Sequence, residues 1–243
     1  MPLEHFLAHI LNHLIGGPVT AMLNWVGHPP LNPAAPINGV FTLELVAFLV
    51  LLIFFILVRL TLNVERPSVP QRLAEMVEEF VTNQTEPIIG HKYKVYLPFL
   101  AALIMFVLVN NLVGLVPAVE TPTSSPVVPL AMAIVTFIYY HWQGLKENKA
   151  KYAKQFIGPV WWLSPLMILI EPISHLARVL SLTVRLFANM FASDLLILIS
   201  FMLIPIIFPV AFIALHLAVS LIQAYVFMML ASIYIGQAIA HEH

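Results

Sequence analysis

Apolar runs close to twenty residues long, parted by short polar stretches, organise most of this 243-residue chain. A helix needs about 20 apolar residues to cross a ~30 Å hydrocarbon core, whereas a barrel strand needs about 10 that alternate with polar ones. The runs here are continuous, so they predict helices. Spans are expected at about 40–60, 95–119, 127–143, 165–204 and 209–240. The last two stretches would be about 45–50 Å long at 1.5 Å per residue, which exceeds the core and implies tilt or kinks. Pro205 and Pro209 suit the turn between them. Between the first two spans, Leu73, Met76, Val77 and Phe80 recur at helical spacing in a charged segment. That pattern predicts an amphipathic helix over about 68–88 lying on the membrane surface. The expected fold is an all-α integral membrane protein with about five spanning helices plus the surface helix, the last two spans forming a long tilted hairpin. Residues 1–39, with prolines at 29, 30, 33 and 36, form an N-terminal segment ahead of a single transmembrane domain over 40–243.

Composition agrees with that solvent. Sixty per cent of residues are apolar, nine per cent are charged, and mean hydropathy is +0.93. A soluble domain carries about a quarter charged residues, so this chain has too few to cover its own surface. A net charge of −1 gives no reason to expect a nucleic-acid partner. The absence of cysteine removes disulfides, zinc–thiolate sites and a thiol nucleophile. The stretch MPLEHFLAHILNHLIGG has neither a basic region nor a small-residue cleavage site, so the spans themselves are expected to direct insertion. No internal repeat is visible.

The cations orient the chain. Arg59, Arg66, Arg72, Lys92 and Lys94 fall between the first two spans, and Lys146, Lys149, Lys151 and Lys154 between the third and fourth. The N-terminal segment, the 119–126 loop and the 203–210 turn carry none. By the positive-inside rule the basic loops are cytoplasmic, the N-terminus faces out, and the C-terminal HEH lies inside.

Arg178 and Arg185 are the exceptions, because they lie within the fourth span together with Glu171, His175 and Asp194. A guanidinium at the bilayer centre costs at least ~2.5–3.5 kcal/mol and cannot shed its proton. Ser174, Arg178, Ser181, Arg185 and Asn189 share one helical face. Asp194 stands about half a turn round from Arg185 and ~13 Å toward the outer side, and Glu171 lies ~21 Å toward the inner side. No acid occurs three or four residues from Arg185, as simple pairing would require. A helix-bridging or lipid-phosphate role for Arg185 stays open beside a functional one. On the fifth span His216, Ser220 and Gln223 share a face. In a hairpin, His216 and Gln223 would meet Asp194 and Asn189 in one hydrated pocket.

Other polar features are less directed. Glu44, near the outer end of the first span, either lines a water entrance or snorkels to the interface. Asn110 and Asn111 are expected to bond between helices. His5, His9 and His13 have a spacing that could line up a metal, but no further ligand completes a site, and the polar face of an interfacial helix is the expectation. No H-E-x-x-H, G-x-S-x-G or glycine-rich phosphate loop occurs, so no enzyme chemistry, cofactor or metal is expected.

SLTVRLFANM at 181–190, the spacing from His216 to Gln223 and the run QAYVFMML at 223–230 resemble subunit a of the rotary F-type ATP synthase membrane (Fo) sector. The resemblance covers nearly the whole chain and is most specific over 171–243. It implies a non-catalytic, proton-translocating stator in a bacterial inner membrane. Its partners would be the c-ring, the b subunits of the peripheral stalk, the other synthase subunits and lipid. Arg185 would face the ring, Asn189, Asp194, His216 and Gln223 would belong to an outer half-channel, and Glu171 and Ser181 to an inner one. His175, Arg178 and Glu44 are secondary candidates. Aspartate at 194 and alanine at 188 depart from the glutamate and glycine frequent in the family. A proton-coupled secondary transporter, a structural assembly subunit and a sodium-translocating form of the same subunit are the competing readings.

Overall fold

The computed structural model describes residues 3–25, 32, 35–116, 119–149, 152, 164–204 and 207–240. Pro29, Pro30, Pro33, Lys151, Lys154, Pro205 and the C-terminal HEH lie outside those residues. Seven α-helices occur among the described residues: α1 (Leu3–Trp25), α2 (Gly39–Leu60), α3 (Val69–Ile89), α4 (Tyr93–Val113), α5 (Val127–Asn148), α6 (Ser164–Leu203) and α7 (Ile207–Ile239). Short 3₁₀ turns at Gly90–Lys92 and Pro122–Ser124 complete the regular structure, and no strand is present among these residues. The chain is an all-α membrane protein, as its hydropathy pattern indicated.

Local chemistry sets the boundaries. The Asn38 side chain accepts a 2.8 Å hydrogen bond from the Phe41 N–H and starts α2. Ser68 does the same for α3, with Pro70 in the first turn, where its missing N–H costs nothing. Lys149, at φ 48, closes α5. Helix α4 stops at Val113, short of the expected 119, because Leu115 and Val116 fold back onto the carbonyls of Leu112 and Val113. Helix α5 continues to Asn148, past the expected 143.

Five helical stretches among the described residues are long and apolar enough to cross a membrane: His5–Trp25, Gly39–Leu60, Val69–Val113, Leu166–Leu203 and Phe208–Ile239. This set differs from the expected one at three places, the first being that Val69–Val113 joins the expected surface helix to the second span. Helix α1 was expected to lie at the interface. Helix α5 was expected as a span, and is not in the set because Tyr139, Tyr140, His141, Trp142 and Gln143 dilute its apolar run. Helix α3 presents Leu73, Met76 and Phe80 outward, as a helix resting on lipid would. Its opposite face carries the buried Gln71, Val81 and Thr85, and the helix packs against α4 and α7.

Helix α7 lies at the centre of the packing, touching α3, α4, α5 and α6. Its inner face carries Ala224, Phe227, Met228, Ala231, Ile235 and Ala238, all nearly inaccessible. In lipid, apolar surfaces gain little from leaving the solvent, so close packing and polar contacts hold helices together. The small residues on this face permit that approach. Gly144 on α5 marks a close approach to α7, because an added Cβ would lie 3.0 Å from the Ala238 carbonyl oxygen and against the Tyr152 ring. Nearby, Asn148 donates to that same carbonyl at 3.0 Å. Gly144→Ala should therefore destabilise the chain by about 1–3 kcal/mol through overpacking. A lower midpoint of thermal unfolding in detergent is the expected result, and an unchanged midpoint would contradict the close approach.

Candidate functional site

Helices α6 and α7 run antiparallel and are joined by a ladder of polar contacts. As numbers rise along α6, partners fall along α7: Arg178 with Tyr234, Asn189 with Gln223, Met190 with Ser220, and Ser193 and Asp194 with His216. The apolar character of both helices leaves these few contacts to define how they register.

At one end Asp194 is held by two neighbours, Thr121 and His216. Its carboxylate accepts from the Thr121 hydroxyl at 2.8 Å and from the Thr121 N–H at 3.3 Å. His216 Nδ1 lies 3.5 Å from Asp194 Oδ1 and 2.9 Å from Ser193 Oγ. His216 is fully buried, and its Nε2 faces the Asn111 carbonyl oxygen at 3.1 Å. A carbonyl only accepts, so Nε2 carries a proton. With a second proton on Nδ1, the ring donates to Ser193 while the serine hydroxyl donates to the Met190 carbonyl, 3.0 Å away. Without that proton, the hydroxyl can turn and donate to Nδ1 instead. This cluster can exchange one proton by rotating one hydroxyl, beside a carboxylate that offsets the charge.

The single expected pocket joining Asp194, His216, Asn189 and Gln223 is resolved into two polar units. Asn189 Nδ2 donates to Gln223 Oε1 at 2.9 Å and takes no part in the bonds around Asp194. The physical reason is helical phase, since five residues separate Asn189 from Asp194 and place them on different faces of α6. Gln223 is buried with its Nε2 lacking a partner among the described residues, as is Asn111 Nδ2. Asn111 Oδ1 accepts from Thr123 at 2.7 Å, linking α4 to the 3₁₀ turn, whereas Asn110 donates back to Phe106 of its own helix. Among the described residues, only Asn111 of the two therefore bonds outside its helix.

Arg185 is partly buried at the edge of the seam, between the exposed Ser181 and Asn189. It forms no hydrogen bond or ion pair with the described residues. Toward the start of α6, Glu171 Oε1 lies 3.6 Å from His175 Nε2, and the Arg178 guanidinium lies 5.1 Å from the centre of the Tyr234 ring. Ser181 joins neither group. Glu44 is half-buried on α2, which packs on α1, α3 and α4, and it bonds none of the α6 or α7 residues described. His5, His9 and His13 line an open cavity of ≈ 480 Å³ with Asn12, Ala35, Ile37, Asn38 and Gly39. No cluster of three or more His, Cys, Asp or Glu placed for a metal occurs among the described residues.

Thr121, Thr123 and Ser193 were not singled out from the sequence. ETPTSSP reads as an ordinary polar loop, and only the fold brings it onto Asp194. Gly114 makes this possible, because a Cβ there would collide with the Thr121 side chain and approach the His216 ring.

The family model for the ATP synthase A chain matches residues 40–236. The chain belongs to this family. Its members are membrane-embedded, non-catalytic subunits of the ATP synthase Fo sector and work alongside the other subunits of that complex. ATP synthase subunit a of Koribacter versatilis is 47% identical over 244 residues, covering 100% of both chains. The Solibacter usitatus subunit a is 39% identical across 96% of this chain and 100% of its own length. That of Geobacter sulfurreducens is 42% identical over 177 residues, 73% of this chain and 77% of its own.

The absence of native cysteine offers a direct check of the Asp194 geometry. Thr121→Cys combined with Asp194→Cys should form an intramolecular disulfide under mild oxidation, seen as a gel-mobility shift reversed by reductant. A pair that stays reduced would contradict the contact between loop and helix.

Proposed function

We propose that this chain is the proton-translocating stator of the synthase, with Arg185 facing a rotating ring of c subunits between two offset half-channels. The observation that carries the proposal is that Arg185 lacks an anionic partner among the described residues. A permanent cation amid apolar helices needs a compensating charge, and a carboxylate arriving on a moving neighbour supplies one. The polar stripe that contains Arg185 stays accessible at Ser181 and Asn189, as a surface meeting such a neighbour requires.

Asp194 and His216 serve the outer half-channel, with Asn189 and Gln223 between them and the ring. Glu171 and Ser181 serve the inner one. A ring carboxylate protonated from the outer side is neutral and can travel through lipid. Near Arg185 it meets an opposite charge, its pKa falls, and the proton leaves on the inner side. Each transfer can contribute ~2.3 kcal/mol per 100 mV of potential. Arginine suits this position because lysine loses its charge more readily in an apolar setting. It also prevents direct hopping between the half-channels.

The basic loops face the cytoplasm of a bacterial inner membrane, and the N-terminus faces out. An ion pair from Lys92 to Glu147 joins the α3–α4 junction to the end of α5, which supports placing both basic segments on one side. At the opposite end, Asn12 both donates to and accepts from the Ile37 backbone, tying the middle of α1 to the start of α2. The b subunits of the peripheral stalk restrain the chain against rotation, and lipid covers the remaining apolar surface.

Arg185→Ala should abolish ATP synthesis and ATP-driven proton pumping in membrane vesicles while the complex still assembles. Normal pumping by that variant would refute the stator assignment. Asp194→Ala and His216→Ala should each slow proton uptake from the outer side, measured as conductance under an imposed potential. Unaltered conductance would remove those residues from the path. Sodium-dependent ATP hydrolysis in the same vesicles would replace the proton with sodium.

A further inference from the structure

A second group of protonatable side chains gathers near the start of α6, away from Asp194 and His216. The Tyr140 hydroxyl on α5 lies 2.9 Å from His175 Nδ1, and His175 Nε2 lies 3.6 Å from Glu171 Oε1. Exposure rises along this line. Tyr140 is 2% exposed, while the side chains of His175 and Glu171 are 12% and 24% exposed. At the buried end, Thr136, Tyr140, Arg178, Leu182 and Tyr234 border a narrow crevice between α5, α6 and α7. Leu182 is three residues from Arg185, so the crevice begins about one helical turn from the arginine. His141 flanks the line, with its ring centre 4.7 Å from that of His175 and 4.3 Å from that of Tyr140. Tyr152 stands 6.0 Å from His141 on the far side.

We propose that Tyr140, His175 and Glu171 form a proton relay that carries protons from the Arg185 region to the inner surface, with Tyr140 and His175 as its internal members. The proposal rests on the stator assignment and extends its inner half-channel with residues from α5. A tyrosine bonded to a buried imidazole often serves packing alone. Here the pair lies between a crevice near the arginine and a surface acid 3.6 Å from His175, and each neighbour offers the donor or acceptor that the next one needs.

The transfer balances. Neutral His175 with its proton on Nε2 accepts from the Tyr140 hydroxyl at Nδ1. A proton arriving at the Tyr140 oxygen displaces the hydroxyl proton onto Nδ1, and the Nε2 proton passes to the Glu171 carboxylate. One proton enters, one leaves, and the tyrosine and histidine keep their composition, with only the imidazole tautomer changed. Reorientation of the ring and hydroxyl resets the line. The 3.6 Å step is longer than a direct hydrogen bond, and a small side-chain shift closes it.

The test uses the whole complex reconstituted in liposomes, stripped of its extrinsic ATP-hydrolysing sector, with proton flux driven by a potassium diffusion potential. Tyr140→Phe, which removes only a hydroxyl, and the near-isosteric His175→Gln should each reduce flux about tenfold or more, given the ~10²–10⁴ that positioned proton-transfer groups contribute. Free imidazole should restore part of the flux lost in His175→Ala, a response that a packing role would not produce. Wild-type flux in both Tyr140→Phe and His175→Gln would overturn the relay, as would a His175→Ala loss that imidazole leaves unchanged. Arg185→Ala complexes that keep their extrinsic sector separate the stator assignment from the relay. If they retain ATP-driven pumping, the stator assignment fails. If they lose it while the tyrosine and glutamine variants conduct normally, only the relay fails.

Discussion

The polar seam between α6 and α7 is the interaction on which the rest of the molecule depends. In lipid, two apolar helices slide past one another at little cost, because apolar surface gains little by leaving a solvent that is itself apolar. Asp194 and Ser193 with His216, Asn189 with Gln223, and Arg178 with Tyr234 hold one register along most of the hairpin. A slip of one turn would strand several buried polar groups in an environment where each unsatisfied group costs about 1–3 kcal/mol. The groups that define the packing are therefore the groups available for chemistry, and neither role can change alone.

The seam is completed from outside the hairpin. Helix α4 ends early, and the following loop turns back so that Thr121 caps the Asp194 carboxylate. Asn111 accepts the His216 Nε2–H through its backbone and fixes the same loop through Thr123. Toward the other end, Tyr140 of α5 reaches His175, and Asn148 fastens α5 to the last turn of α7. Arg185 lies between these two supported ends and is itself bonded to neither. With no ion pair among the described residues, Arg185 is free to meet the ring carboxylate of the proposed stator, which a locked ion pair could not do.

Much of this was legible in the residues, and the limits follow from physics. Helices α2, α6 and α7 were readable because lipid imposes a length and an apolar run that few other environments require. The shared face of Ser174, Arg178, Ser181, Arg185 and Asn189 was readable because helical periodicity is local. The early end of α4 was not, because Leu115, Val116 and Val119 are as apolar as a span and only their hydrogen bonds bend the chain. Thr121 and Thr123 carried no sign of their role, since a hydroxyl in a polar loop looks alike whether it meets water or a carboxylate. Tyr140 and His141 carried no sign of a role within the expected third span, and only the fold set them against His175.

The sequence by itself determined the solvent, the helical class, a permanent cation at Arg185 with no acid one helical turn away, and the family to which these residues point. Each follows from properties carried by one residue or one run: apolarity, periodicity, and a guanidinium that cannot discharge. The tertiary structure alone decided which polar groups meet. It joined Asp194 to Thr121 and His216, paired Asn189 with Gln223 apart from them, and brought Tyr140 to His175. Hydrogen bonds act over about 3 Å, and residues distant in the chain come within that reach only when whole helices settle into register.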